Sequence, residues 1–308
     1  MLEIFLRTLP FFLVIGCGWL AGRARFFPPE ATAWLTKFVF YFALSAMLFR
    51  FSAGLDLRQL FDSRFVLAYL SGTTALWILA MAVARWRRLP LAEAAMEAHS
   101  AITGNTGFLG VPMLVALLGP AAIGPVMMVL AIDLVVFSAL LTLLITAARQ
   151  GRGALSALGP LIGGIVANPM IVSMVAGLGW AGLRLPMPQP VAEFLALLGA
   201  AATPGALFAI GASLAGRRAE RLGPALWISA AKLVLHPLAV GLAALVLFHV
   251  QPFAAGVMIA AASLPVAGNV YILAQHFGVA THRVSTAILV STGFSILTVP
   301  LAIHWITG

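Results

Sequence analysis

Two asparagines stand where a membrane-embedded chain would ordinarily carry leucine or isoleucine. Asn105 lies in Ser100 to Gly119 (SAITGNTGFLGVPMLVALLG), among Gly104, Gly107, Gly110 and Pro112; Asn269 lies in Ala262 to Gly278 (ASLPVAGNVYILAQHFG), beside Pro265 and Gly268. A side-chain amide donates to an anion or accepts from a backbone donor without adding net charge. Pro112 and Pro265 lack an N–H and obstruct the turn before them, which frees carbonyls and amides nearby. In hydrocarbon such irregular backbone survives only where protein or a polar cavity satisfies it. If the two interruptions cross near the midplane, the start of each second half-helix presents unpaired N–H groups and a positive dipole end, and the ligand that suits it best is a carboxylate. The candidate ligand-contacting residues are therefore Asn105, Thr106, Gly107, Pro112, Pro265, Gly268 and Asn269. For either stretch alone the competing reading is an ordinary proline kink with an asparagine as interhelical hydrogen-bond glue. Their occurrence at corresponding places in the two halves favours a binding site.

Ionisable residues inside apolar stretches come next, since each is expensive there and marks a pathway or relay by default. Lys232 and His236 lie one helical turn apart just before Pro237, so they share a face. Asp133 sits in the middle of its own apolar run. Lys232 can balance an anion or respond to protonation, or snorkel from a span end; Asp133 can pair with it, relay a proton, or form a bland interior pair. These three are the coupling or charge-balancing candidates. Glu93, Glu97 and His99 are expected to be solvated at a membrane edge, and His276 likewise.

Catalytic readings fail for lack of parts. There is no His-Glu-x-x-His, Asp133 is the only aspartate within an apolar run, and Gly211-Ala212-Ser213-Leu214 offers a serine without a placed base. The single cysteine, Cys17, excludes an intrachain disulfide and a cysteine-based metal site. No Walker A sequence is present. No catalytic residue, metal site or cofactor is expected; H⁺ and Na⁺ are the candidate coupling ions.

The elements that must position these residues are membrane helices. The 308 residues are 62% hydrophobic and 9% charged, with a mean hydropathy of +1.06, which describes a polytopic membrane protein. A formal charge of +9 and a pI near 11.2 do not point to nucleic acid, because the arginines are scattered through short connections. With about twenty residues per crossing, ten spans follow: roughly 4–22, 33–51, 64–85, 94–118, 122–147, 158–179, 191–215, 223–248, 253–277 and 281–306. The first could be mistaken for a lipoprotein signal ending at Cys17. It lacks the positive leading region, with Glu3 before Arg7, and is kept as a span. Trp19, Trp34, Trp86, Trp180 and Trp305 fall near span ends as interfacial anchors.

With the N-terminus outside, inner connections hold Arg23, Arg25, Arg85, Arg87, Arg88, Arg149, Arg152, Arg217, Arg218, Arg221 and Arg283. Outer ones hold Arg7, Arg50, Arg58, Arg64 and Arg184, partly offset by Asp56 and Asp62. The bias places both termini on the non-cytoplasmic side. Arg149 to Gly153 divides the chain into residues 1–150 and 151–308, five spans each. An odd number per half makes the second copy enter the membrane inverted. Leu44 to Phe49 and Thr203 to Phe208 are weakly similar at equivalent places.

Asn105-Thr106-Gly107-Phe108-Leu109-Gly110-Val111-Pro112, followed by Leu264-Pro265-Val266-Ala267-Gly268-Asn269-Val270-Tyr271-Ile272-Leu273-Ala274, closely resembles the auxin efflux carrier family, including its bacterial members. Asn168-Pro169, Thr203 to Gly211, and Lys232-Leu233 with Pro237 add to the likeness, which covers nearly the whole chain. The resemblance implies an all-α fold of ten helices in two inverted five-helix repeats. Spans 1, 2, 6 and 7 would form a scaffold, and spans 3–5 and 8–10 a transport unit. It also implies a crossover at the prolines of spans 4 and 9, an elevator-like motion carrying organic anions, and a homodimer through the scaffold. Asn105, Pro112, Pro265 and Asn269 inherit the crossover and carboxylate-binding roles. Ser45 replaces a proline common in relatives, which puts the span 2 kink in question, and the long cytoplasmic loop of the plant carriers is absent. The expected function is a bacterial inner-membrane secondary carrier for a small carboxylate. The alternatives are a sodium-coupled bile-acid-type symporter or cation/proton exchanger of related fold, and, from another class, an intramembrane enzyme.

Overall fold

A computed structural model describes residues 2–55, 62–150, 162–163, 166–216 and 222–307. Helices account for every named element: α1 (Leu2–Arg23), α2 (Pro29–Ala53), α3 (Ser63–Trp86), α4 (Leu91–Ile102), α5 (Thr106–Leu118), α6 (Pro120–Ala148), α7 (Pro169–Gly182), α8 (Gln189–Ala215), α9 (Leu222–Leu247), α10 (Pro252–Ala262), α11 (Gly268–Phe277) and α12 (Thr281–Thr307). Among the described residues seven helices are long and apolar enough to cross a membrane: α1, α2, α3, α6, α8, α9 and α12. Three more, α5, α7 and α10, are apolar but shorter. Breaks are expected in the fourth and ninth spans, and both are present. The fourth and ninth predicted spans are each split in two; of the sixth, Pro169–Gly182 is a helix and residues 158–161 and 164–165 lie outside the described residues. The Asp56 and Arg58 part of the second connection, Arg152 with Gly151 and Gly153, and Arg217, Arg218 and Arg221 lie outside the described residues.

Packing sorts the helices into two groups. In one, α1 lies along α8, and α2 is held by α7 and α8. Gly18 and Gly211 allow this close approach: a Cβ on Gly18 would lie 2.1 Å from the Phe208 carbonyl oxygen, and one on Gly211 1.9 Å from that of Ile15. Small residues at helix contacts are the usual means of packing where lipid removes the hydrophobic drive. In the other group, α3 packs on α4 and α9, α4 on α6, and α9 and α10 on α12. The groups meet where α8 contacts α5 and where α1 contacts α12. Large apolar side chains such as Leu13, Phe42, Leu197, Leu238 and Leu301 stay exposed around the outside, as a bilayer solvent requires.

Several long helices carry π-helical turns: Val39–Ala43 in α2, Thr106–Gly110 in α5, Asp133–Phe137 in α6, and Ala231–Leu235 and Ala243–Leu247 in α9. Such turns widen the helix locally and leave carbonyls short of partners. In α2 the Ser45 hydroxyl donates to the Phe40 carbonyl at 3.2 Å beside the π-helical turn Val39–Ala43, so the helix is perturbed at this place without a proline.

One expectation is overturned at the end of α4. Glu97 and His99 are not solvated but buried, each 1% exposed. Arg283 of α12 donates to Glu97 at 2.6 Å and also pairs with Glu93, while Arg87 reaches Glu97 at 2.8 Å. A buried charge needs this degree of pairing. Arg283, expected in an exposed inner connection, is itself 6% exposed and ties the last helix to the first half of the broken pair.

Candidate functional site

The two interruptions do meet. Helix α4 ends at Ile102, α10 at Ala262, and the links that follow run antiparallel, with Gly104 opposite Val266. The Asn105 N–H donates to the Pro265 carbonyl at 2.8 Å, and the Ala267 N–H donates to the Thr103 carbonyl at 3.1 Å. The Val266 N–H is taken by the Ser291 hydroxyl of α12 at 3.1 Å. Each break thereby satisfies backbone groups that the other exposes. The arrangement brings four helix ends to one place: the C-termini of α4 and α10, and the N-termini of α5 and α11. The first amides of a helix have no acceptor within it, so α5 and α11 both direct donors toward the crossing.

Asn105 and Asn269 stand at these two N-termini, directly before α5 and in the first turn of α11. The Oδ1 atoms of both are buried with no protein partner; these are acceptors that a donor or a cation relieves, whereas the group that donates to a carboxylate is the side-chain NH₂. Thr106 and Gly107 follow Asn105 in the π-helical turn and are buried. Pro265 is part of the crossing through its carbonyl, and Gly268 opens α11. Pro112 is not there. It occupies the start of the α-helical stretch Val111–Leu118, where a missing N–H costs little, and the break falls earlier at Thr103 to Asn105.

A cavity of about 380 Å³ adjoins the crossing. Asn269 and Phe108 line it from the crossing side, Thr142 from α6, Asn168 from the start of α7, and Thr36 and Lys37 from α2. Lys37 brings a cation, its Nζ also lying 4.5 Å from the centre of the Trp34 ring. Sequence reasoning passed over Lys37, although a lysine inside the second predicted span was a readable signal. A second cavity of about 270 Å³ is lined by Met47, Arg50 and Phe51 from the far part of α2, Pro112 from α5, and Thr203 from α8. Lys37 and Arg50 are roughly 20 Å apart along the α2 axis at 1.5 Å per residue.

Behind the crossing, Lys232 and His236 share a face as expected, with Lys232 Nζ 3.1 Å from His236 Nδ1. Lys232 is fully buried and donates to the Ala262 carbonyl at the end of α10, so it does not snorkel to a membrane surface. His236 Nε2 is 3.0 Å from the Thr73 hydroxyl. Asp133, 2% exposed, accepts from the Tyr69 hydroxyl at 2.8 Å, keeps a second oxygen without a protein partner, and interacts electrostatically with Lys232. Tyr69 and Thr73 were not foreseen, because hydroxyls on membrane helices are too common to single out. Among the described residues no group of histidine, cysteine, aspartate and glutamate could hold a metal ion.

Half-helices crossing at paired backbone, with buried amides and a cavity beside them, define a membrane carrier. The comparison of sequences agrees: the profile of the family described as membrane transport protein matches residues 3–162 and 155–303, and the chain belongs to this family, that of the auxin efflux carriers. It is also 33% identical over 303 residues to a Rhizobium meliloti (strain 1021) protein described as "Putative malonate transporter", covering 97% of this chain and 94% of that one. The family and this relative are transporters, not enzymes, which removes the intramembrane-enzyme alternative.

Proposed function

We propose that the protein is a secondary carrier for small organic anions, with malonate or a similar short carboxylate as substrate, working by alternating access. The observation that carries this reading is the crossing itself. The N-termini of α5 and α11, with Asn105 and Asn269 in place, converge beside a cavity to which Lys37 adds a positive charge. Amides and helix dipoles stabilise a carboxylate by donation, and the lysine supplies the counter-charge that a desolvated anion needs. The relative described as a malonate transporter supports this class of substrate.

The two packing groups support a division into a scaffold (α1, α2, α7, α8) and a moving unit (α3–α6, α9–α12), the spans 1, 2, 6, 7 and 3–5, 8–10 of the ten-span inverted-repeat reading. Cavities at two depths along α2 are what a carrier needs if the crossing is to face each side in turn. We place both termini on the non-cytoplasmic side of a bacterial inner membrane, from the arginine bias. The cavity with Lys37 then opens inward. The scaffold also offers a surface for a homodimer. A cation/proton exchanger is disfavoured by the scarcity of carboxylates inside the apolar runs, where such exchange uses a pair; a sodium-coupled symporter is the alternative reading.

A thermal-unfolding screen of the purified protein tests the substrate class. Malonate and related mono- and dicarboxylates are expected to raise the unfolding temperature in a saturable way, and the uncharged malonamide to leave it unchanged. Equal shifts with malonamide would contradict a site built for carboxylate.

A further inference from the structure

Pro112 is among the ligand-contacting residues expected from the sequence, and the crossing does not use it. It lines the smaller cavity instead, together with Val115 and Ala116 of α5. The facing walls are the last turns of α2, with Arg50, and the first part of α8 as far as Thr203. This space of about 270 Å³ therefore lies between the helices grouped as scaffold and the half-helix that starts beside Asn105. From Asn105 to Pro112 is roughly 10 Å at 1.5 Å per residue.

Of the residues that line this cavity, Arg50 and Thr203 alone carry polar side chains, and Arg50 alone a charge. Arg50 is exposed, and among the described residues no carboxylate pairs with it. An arginine in the last turn of a helix complements the helix dipole wherever it points. Two features go beyond that ordinary role. The backbone around Arg50 is clamped on both sides: a Cβ on Gly177 of α7 would lie 2.5 Å from the Phe49 carbonyl oxygen, and one on Gly199 of α8 3.2 Å from Met47 Cα. The guanidinium is thus borne on a fixed wall of a cavity that is otherwise almost wholly apolar. It also lies on the side to which the bias assigns few arginines, so the excess of positive charge in the inner connections does not account for it. A guanidinium takes a carboxylate through two parallel N–H donors, which suits an anionic occupant.

We propose that Arg50, with the Thr203 hydroxyl, forms a second anion subsite, which holds a small carboxylate on the membrane side opposite the Lys37 cavity. The inference rests on the carrier reading above. It makes Lys37 and Arg50 two fixed cations at the ends of one scaffold helix, between which the crossing carries the anion.

Ala196→Cys, in a chain whose Cys17 is replaced by alanine, places a unique thiol on the α8 wall of this cavity. Its reaction with a sulfonate-bearing methanethiosulfonate and with neutral N-ethylmaleimide is timed on the purified full chain in detergent, with and without malonate. Malonate is expected to slow both reactions saturably. Arg50→Gln is expected to lower the ratio of anionic to neutral rates roughly 10-fold and to abolish the protection, and Arg50→Lys to restore most of the ratio. A thiol that malonate does not protect, protection that persists in Arg50→Gln, or a ratio unchanged by that substitution would overturn the proposal. Ser138→Cys, on the wall of the Lys37 cavity, separates the two readings. Protection there with none at Ala196→Cys removes the Arg50 subsite alone, and protection at neither removes the carboxylate site at the crossing as well. If Ala196→Cys does not fold, Ala116→Cys on α5 carries the same measurement.

Discussion

Asn269 and Lys37 line the same cavity from α11 and α2, and in the proposed carrier they do different work. The amide of Asn269 supplies direction, while Lys37 supplies charge at an exposed position where solvent screens it. Replacing Asn269 by alanine removes a hydrogen bond to a charged ligand, worth ~1.5–3 kcal/mol, so the dissociation constant for malonate is expected to rise roughly 10- to 100-fold. Lys37→Met is expected to weaken binding by about 10-fold at low salt, with a loss that shrinks as ionic strength rises. Titration of malonate by isothermal calorimetry at two salt concentrations measures both effects. Asn269 could be read from the sequence because an amide beside glycine and proline in an apolar run has few structural uses. Lys37 was less visible, since its chain neighbours Thr36 and Phe38 look like any helix and its role depends on which elements face it.

The crossing shows what a local pattern can and cannot specify about an element. Pro265, Gly268 and Asn269 flank the second break closely, and the helix does stop at Ala262 and resume at Gly268. In the first break the same logic points to Pro112, yet the chain unwinds at Thr103 to Asn105. The π-helical turn Thr106–Gly110 absorbs the strain, and the proline then sits at a helix start where its missing N–H is unneeded. Periodicity in an apolar run carries no signal for such turns. The same limit applies to Glu97, which looks like an edge residue until Arg283, far away in sequence, is brought beside it. Glu97→Ala leaves Arg283 buried without a main partner and should cost about 3–5 kcal/mol, whereas Glu3→Ala, which breaks an exposed pair with Arg7, should fall within about 0.5 kcal/mol. The packing of α1 on α8 gives another contrast. Gly211→Ala forces a Cβ against the Ile15 carbonyl and should cost ~1–3 kcal/mol, while Gly16→Ala, with open space around it, should be nearly neutral. Chemical denaturation in detergent reads all four variants.

For the whole molecule, composition and length were enough to place the chain in a bilayer as helices, because continuous apolar runs of about twenty residues cross as helices, whereas the other solution, a closed barrel, needs short alternating strands. The glycines, prolines and asparagines of two stretches also marked which spans are interrupted, but not the residue at which each helix stops, because that depends on the partner break that takes up the freed backbone groups. Orientation is a property of the whole chain and rests on where arginines lie relative to the spans. A unique cysteine introduced at Gly308, in a chain whose Cys17 is replaced by alanine, is expected to react with a membrane-impermeant thiol reagent added to intact cells. Protection there with reaction after lysis would reverse the topology and the side to which the Lys37 cavity opens. The central claim is that the crossing of α4–α5 with α10–α11 carries a small carboxylate across the membrane. It is tested most directly by uptake of labelled malonate into proteoliposomes that contain wild-type protein, Asn105→Ala or Asn269→Ala, each verified as folded by its unfolding transition. The account predicts saturable uptake by the wild type and near-background uptake by both variants; uptake by the variants at the wild-type rate would contradict it.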